Sequence, residues 1–186
     1  MKINDILENV CSVIGLTDLK SALEGNSLTT AQEKQANKFV EYFNRIQQEI
    51  STEFLMVLHK ETVSSVGSVS YSNLSEEVLD VIYIKDEKGK KIPFTVFPDH
   101  VSFDGKAVEV MYSYIPEGIS LGDDILYLAP VRIYVFGIAR EYYFDEGLTD
   151  LATLYEQRFK SSIEMLVEKD KLSHFKTRKM PARLWL

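Results

Sequence analysis

The sequence predicts an α+β protein, mainly α, in which a helical bundle carries a small antiparallel β-insert and ends in an extended C-terminal arm. Three observations predict this class. Apolar residues recur at helical spacing towards both ends of the chain, apolar and polar residues alternate in its middle, and helical periodicity fades after Val167. The predicted order of elements is α-α-β-α-α. We therefore expect the bundle in residues 1–58 and 129–170, the insert in 59–128 and the arm in 171–186.

Residues 130–167 predict two helices that meet at Gly147. Pro130 suits the first turn of a helix, where its missing N–H has no partner to lose. Gly147 can adopt the left-handed conformation that ends a helix, and Thr149 or Asp150 can cap the next one. The predicted αα-hairpin has two inward stripes, which are Val131, Tyr134, Val135, Ile138 and Tyr142 in its first helix and Leu151, Leu154, Tyr155, Phe159, Ile163 and Leu166 in its second.

Two helices are predicted before the insert. The first covers residues 3–14, and residues 17–23 allow a short helical turn after it. Thr30 and Glu33 have the spacing of a capping box, which predicts that a long amphipathic helix begins there. Across the long helices we expect one shared core, made of Phe39, Phe43, Ile50, Val135, Ile138, Leu154, Tyr155 and Phe159.

The insert is predicted from short runs of β-forming residues. These runs are residues 61–71, 78–84, 92–97, 100–103 and 107–114. Lys88-Gly89 and Asp104-Gly105 separate such runs, and Asp-Gly is a strong hairpin signal. Pro93 and Pro98 indicate sheet edges or strand ends, because proline cannot donate to the ladder.

Composition limits the class of protein. The chain has 186 residues, 45% of them apolar, and a net charge of −7. Residues 168–186 hold six basic and two acidic residues, a net charge of +4, which leaves −11 on the rest. An acidic body argues against a surface that binds nucleic acid throughout. One cysteine, Cys11, excludes an internal disulfide, and no run is apolar enough to cross a bilayer, so we expect a soluble cytoplasmic protein without membrane contact.

No catalytic motif is present in the sequence. The three histidines, His59, His100 and His174, lack the mutual spacing of metal ligands, and no phosphate-binding glycine loop or nucleophile elbow occurs. We expect no catalytic residue, metal or cofactor. The alternative is a small metal- or ligand-dependent enzyme with a site in the insert, around His59, Glu61, His100 and Asp104.

The basic tail has the composition of a docking segment. Trp185, the only tryptophan, lies between two leucines and follows Pro181, which discourages helix. An aromatic residue beside an arginine is typical of an interface anchor. The predicted partner-binding residues are Lys176, Arg178, Lys179, Met180, Arg183, Leu184 and Trp185.

The hairpin sequence resembles the head–tail adaptor, or head-completion, proteins of tailed bacteriophages, which are related to podophage tail tubular proteins. The residues that carry the resemblance are Ala139–Tyr143, Glu146–Leu148, Asp150, Ala152, Tyr155, Glu156, Arg158 and Phe159, with Glu61–Ser64, Tyr71–Ser75 and Met180–Arg183 elsewhere. The resemblance implies a helical bundle with a β-insert, assembled as a dodecameric ring below the portal. Its C-terminal segments would grip the portal.

The resemblance therefore implies a structural subunit of a phage head–tail connector. Such a ring binds the portal, extends the DNA channel and receives the tail proteins, and genome DNA passes through its lumen without specific binding. The expected location is the head–tail interface of the virion, after assembly in the host cytoplasm. Besides the enzyme, a further alternative is a nucleic-acid-binding regulator that uses the basic tail.

Overall fold

The computed structural model describes residues 2–125 and 128–176, with side chains as far as Lys169. The described residues form five α-helices and one antiparallel sheet, which confirms the predicted α+β class. The helices are α1 (Ile3–Ile14), α2 (Thr17–Glu24), α3 (Thr30–Glu49), α4 (Val131–Asp145) and α5 (Thr149–Lys176). The strands are β1 (Leu58–Ser70), β2 (Glu77–Lys85), β3 (Lys91–Ile92), β4 (Phe94–Val96) and β5 (His100–Ile115). A π-helical turn, Ile50–Phe54, follows α3, and a 3₁₀ turn, Tyr71–Asn73, follows β1.

The chain divides into two compact units. The first contains residues 1–46 and 119–186 and holds the helices, and the second contains residues 47–118 and holds the sheet. The sequence places the limits of the insert later, at residues 59 and 128. In the structure, as in the prediction, one continuous β-rich segment lies between two helical segments.

The N-terminal helices differ from the prediction in two details. The stretch expected to make only a short turn forms the complete helix α2, so three helices and not two precede the sheet. The capping box of α3 lies one residue earlier than predicted. The Thr29 N–H donates to Oε1 of Gln32, 3.0 Å away, and the Gln32 N–H donates to Oγ1 of Thr29 at 3.4 Å. Glutamine can take the glutamate's role at this position because its amide oxygen is also an acceptor.

The predicted extended arm is wrong for its first six residues. Residues 171–176 continue helix α5, and the remaining predicted arm residues, 177–186, lie outside the described part of the chain. The loss of apolar periodicity after Val167 signals the loss of a buried face. It does not end the helix, because lysine and leucine are good helix formers and extending an existing helix is easier than starting one.

Aromatic and small residues pack α3 against α4. The rings of Phe43 and Tyr134 stack with centroids 4.8 Å apart, and those of Phe39 and Tyr142 meet edge to face at 5.7 Å. Six of the eight predicted core residues are buried in the helical unit: Phe39, Phe43, Val135, Ile138, Tyr155 and Phe159. Ile50 is also buried but belongs to the second unit.

Leu154 is the predicted core residue that the structure places on the surface, where its exposed fraction is 40%. Leu151, predicted on the same inward stripe, is 39% exposed. The buried face of α5 runs instead through Ala152, Tyr155 and Phe159. Each of these two leucines precedes a buried residue by one position, so it lies about 100° around the helix from the core.

The second unit is a curled sheet built on the long strand β5. The order of strands is β1-β5-β2-β3, with β4 paired to β5, and all pairs are antiparallel. The predicted turn at Lys88-Gly89 is confirmed: it joins β2 to β3, with Gly89 at a φ of +73°. The sheet surrounds its own core of Val69, Val81, Ile84, Val101, Phe103, Ala107, Val110 and Tyr112.

The predicted hairpin at Asp104-Gly105 is wrong. The two strands expected on either side of it are one strand, β5, and Gly105 lies within that strand at a φ of +91°. The pairing with β1 shifts here, from Val66 opposite Lys106 to Ser68 opposite Ser102. A β-bulge uses the same left-handed glycine as a turn, so the dipeptide alone cannot distinguish them. The bulge bends the sheet and lets β5 pair with β4 and β2 along its length.

Candidate interaction surface

The turn between α4 and α5 is short and is closed by the backbone. Gly147 has a φ of +72°, as its predicted role requires, and the Leu148 N–H donates to the Tyr143 carbonyl at 2.8 Å. Leu148 precedes α5, and its carbonyl accepts a hydrogen bond from the Ala152 N–H. Leu148 is therefore the N-cap residue, and neither Thr149 nor Asp150 occupies that position. The helices therefore leave this turn antiparallel, and side chains of both line two concave surfaces.

The first concave surface, which we call the hairpin groove, has a volume of about 540 Å³. Its lining residues are Arg140, Glu141, Phe144, Thr149, Ala152, Thr153 and Glu156. The aromatic side chain of Phe144 is 71% exposed at its edge. A large aromatic side chain left in water beside a concavity is a typical feature of a docking surface.

Ion pairs hold the wall of the hairpin groove in place. The Arg140 guanidinium donates to Oε2 of Glu156 and to Oε1 of Glu141, each 2.8 Å away, and lies 5.1 Å from the centre of the Phe159 ring. Lys160 bonds the other oxygen of Glu156 at 2.7 Å. Burial raises the pKa of Glu156, but the hydrogen bonds from Lys160 and Arg140 outweigh it and lower that pKa overall. The groove therefore keeps the Glu156 carboxylate ionised beside its apolar edge at neutral pH.

The second concave surface lies on the other side of α5 and has a volume of about 270 Å³. It is lined by Phe136, Leu154, Gln157, Arg158, Ser161 and Ser162. Leu151 and Met165, which is 54% exposed, lie on the same side of α5 as Leu154. We call Leu151, Leu154 and Met165 the outer stripe. Its spacing follows one side of a helix, the pattern by which helices dock against partners.

A polar cluster in the sheet unit contains two of the four residues of the alternative enzyme site, His59 and Glu61. Oε2 of Glu61 accepts from the Ser75 N–H at 3.1 Å, the Ser75 hydroxyl at 3.1 Å and the Tyr112 hydroxyl at 2.9 Å. Nε2 of His59 lies 3.4 Å from the Ser75 hydroxyl. Burial raises the pKa of Glu61, but these hydrogen bonds outweigh it, so the pKa is lowered.

The geometry of this cluster is that of a structural anchor. In a Ser-His-acid relay the acid orients the histidine, whereas here Glu61 accepts directly from Ser75 and ties the segment after the 3₁₀ turn to strand β1. The other two residues of the proposed enzyme site are elsewhere. His100 bonds Asp99 at 2.7 Å and pairs with the far end of β1, and Asp104 is exposed at the bulge. Among the residues that the structure describes, no three metal-ligating side chains converge.

The predicted docking residues lie mainly beyond the described structure. Lys176 is the last residue of α5, and Arg178, Lys179, Met180, Arg183, Leu184 and Trp185 fall within residues 177–186. Sequence reasoning missed the exposed side of the hairpin, because it assigned Leu151 and Leu154 to the core. The signal was present in the number of apolar positions on α5, which exceeds what one buried face can hold.

Comparison with the models of known protein families finds no match to this chain, and comparison with curated proteins finds none either. Within residues 2–125 and 128–176, no helix combines the length and the apolar character that crossing a bilayer requires.

Proposed function

We propose that this protein is a structural subunit of a phage head–tail connector: a ring adaptor that binds the portal, extends the DNA channel and receives the tail. The proposal starts from the resemblance of the hairpin sequence to head–tail adaptors. The observation that carries it is the exposure of apolar side chains on two surfaces of the α4–α5 hairpin, Phe144 at the hairpin groove and the outer stripe on the other side of α5. In a monomer these side chains would remain in water, whereas neighbouring subunits of a ring would cover them.

The distribution of charge supports the same proposal. A channel that passes DNA needs a wall that does not hold phosphates, and residues 1–167 carry a net charge of −11. The basic residues are concentrated in the C-terminal segment, where they would speed the encounter with an acidic partner surface. The sheet unit, which forms its own core, would supply further contacts with neighbouring proteins.

Electron microscopy and sedimentation of the purified chain test the proposal, with the protein alone and mixed with the portal protein encoded in the same genome. We expect closed rings, or regular decoration of the portal ring. A chain that stays monomeric at high concentration and does not bind the portal would contradict the proposal. DNA binding that is sensitive to salt and is lost with residues 177–186 would instead favour the regulator.

A matched pair of variants tests the role of the outer stripe. Leu154→Glu puts a charge into the apolar surface and should prevent ring formation, because burying an unpaired carboxylate is costly. Val13→Glu is the matched control: it replaces an apolar side chain of the same exposed fraction, 40%, by the same charge on α1, outside the outer stripe, and should assemble normally. If both variants assemble as well as the parent chain, the outer stripe has no part in assembly.

A further inference from the structure

We propose that residues 177–186 of one copy dock in the hairpin groove of a neighbouring copy. This inference rests on the proposed function, because a ring requires heterologous contacts between identical chains. It goes further by naming both sides of one such contact. One side is the groove next to Phe144, and the other is the segment that contains Trp185.

The chemistry of the groove matches that of the segment. Phe144 and Ala152 provide apolar surface, whereas the carboxylates of Glu141 and Glu156 in the wall are already paired with Arg140, so the groove itself matches the apolar part of the segment. The segment TRKMPARLWL has three basic residues, no acidic residue and an apolar end around Trp185. A volume of about 540 Å³ falls within the range of about 300–1,000 Å³ that is typical of ligand sites, which is room for side chains of the size of tryptophan and leucine.

The hairpin tip adds to this attraction. Glu146 and Asp150 are exposed on either side of the turn, close in sequence to the groove residues. Arginine pairs well with carboxylates at the rim of an interface, and Arg183 is two residues from Trp185. Trp185 would fill the apolar part of the groove while Arg183 reaches a carboxylate at its edge.

The length and direction of α5 argue against docking in the same chain. The helix runs away from the turn and ends at Lys176, 24 residues beyond Ala152. At 1.5 Å per residue this separation is about 36 Å. The nine residues from Lys176 to Trp185 span at most about 32 Å even when fully extended, and they would also have to reverse direction. We therefore place the segment in the groove of another copy, which it can enter without reversing direction.

Fluorescence of the full-length chain provides a direct test, because Trp185 is its only tryptophan. On raising the protein concentration, we expect the emission to shift to shorter wavelength as the indole leaves water, in parallel with an increase in mass in sedimentation. Phe144→Ser should weaken this association at least about 30-fold, the usual effect of losing a dominant interface side chain. Val13→Ser removes an exposed apolar side chain of α1, outside both the groove and the outer stripe, and serves as the matched control.

Mixing two defective variants makes the test specific to a contact between copies. Phe144→Ser keeps the segment but lacks the groove's aromatic edge, and Trp185→Ala keeps the groove but lacks the anchor. Neither variant should associate alone. Their mixture should form a heterodimer, with the remaining tryptophan emitting at shorter wavelength, because one intact groove and one intact segment are then available. Circular dichroism of each variant verifies that it is folded.

Three results would overturn the inference. They are an emission spectrum that does not change with concentration, a mixture that forms no heterodimer, and a shift that only the portal protein produces. The last result would be consistent with the proposed function, but it would mean that residues 177–186 bind the portal protein and not a neighbouring copy. Conversely, groove-dependent association without rings or portal binding would support this contact and contradict the connector function.

Discussion

Gly137 of α4 lies directly against Ile46 of α3. A methyl group added at Gly137 would lie 2.8 Å from Cδ1 and 2.9 Å from both Cγ atoms of Ile46. Because three carbon atoms of the isoleucine crowd this position, a change of its rotamer does not clear the space. The absence of a side chain at Gly137 is therefore what allows these two helices to approach closely.

Gly137→Ala should destabilise the helical unit by about 1–3 kcal/mol, although alanine is the better helix former. Ile46→Ala removes the crowding atoms, so alanine at position 137 should cost less in that background. Urea unfolding of the two single variants and the double variant measures this coupling. Equal costs of Gly137→Ala in both backgrounds would show that the two residues do not limit the helix approach.

Phe43→Ala should lower the free energy of unfolding by about 3–5 kcal/mol, because it leaves a cavity beside the stacked ring of Tyr134. Leu154→Ala is the matched control. The sequence assigns both residues to one core, but Leu154 is exposed, so its truncation should change stability by only about 0.5 kcal/mol. If a denaturant titration shows that both substitutions lower the free energy of unfolding by similar amounts, Leu154 belongs to the core.

Glu109 of β5 makes stability of the sheet unit dependent on pH. Lys60 and Lys85 each bond its carboxylate at 2.7 Å, and these hydrogen bonds lower the pKa of Glu109 from 4.5 to about 2. The folded state favours the ionised form, so the stabilisation is complete above about pH 4.5 and is lost as the pH falls towards 2. Glu109→Gln should therefore lower the melting temperature at pH 7 and make little difference near pH 2.

Thermal unfolding followed by circular dichroism at both pH values measures this difference. Glu87→Gln is a suitable control, since Glu87 is more exposed and, among the residues that the structure describes, pairs with Lys106 alone. A Glu109→Gln effect that is as large at pH 2 as at pH 7 would mean that the ion pairs do not cause it.

Glu61→Ala should release the segment after the 3₁₀ turn without unfolding the sheet. The Ser75 N–H loses its acceptor, so its hydrogen exchange should become faster, while amides in the centre of β5 keep their protection. Exchange measured by nuclear magnetic resonance distinguishes these sites. His59→Ala leaves the Glu61 bonds intact and should not change the exchange at Ser75. If the Ser75 amide of Glu61→Ala exchanges as slowly as in the parent chain, Glu61 does not anchor this segment.

Sequence alone was sufficient for features that depend on local conformation. Gly147 ends α4 because glycine adopts a positive φ without strain. For the same reason Lys88-Gly89 forms the turn that connects β2 and β3. Alternating apolar residues located the sheet, and helical spacing located α3, α4 and α5. These preferences act within a few residues, so they can be recognised before the fold is known.

The tertiary structure decided which faces of those elements are buried and where strands continue. Leu154 has the spacing of a core residue, but the packing of Ala152 and Tyr155 against α4 turns it to the surface and so creates the outer stripe. Gly105 has the φ of a turn, but pairing with β1 on one side and β4 on the other keeps β5 continuous through a bulge. Burial and pairing depend on residues distant in sequence, and a local pattern compatible with two outcomes is resolved only when those residues come together.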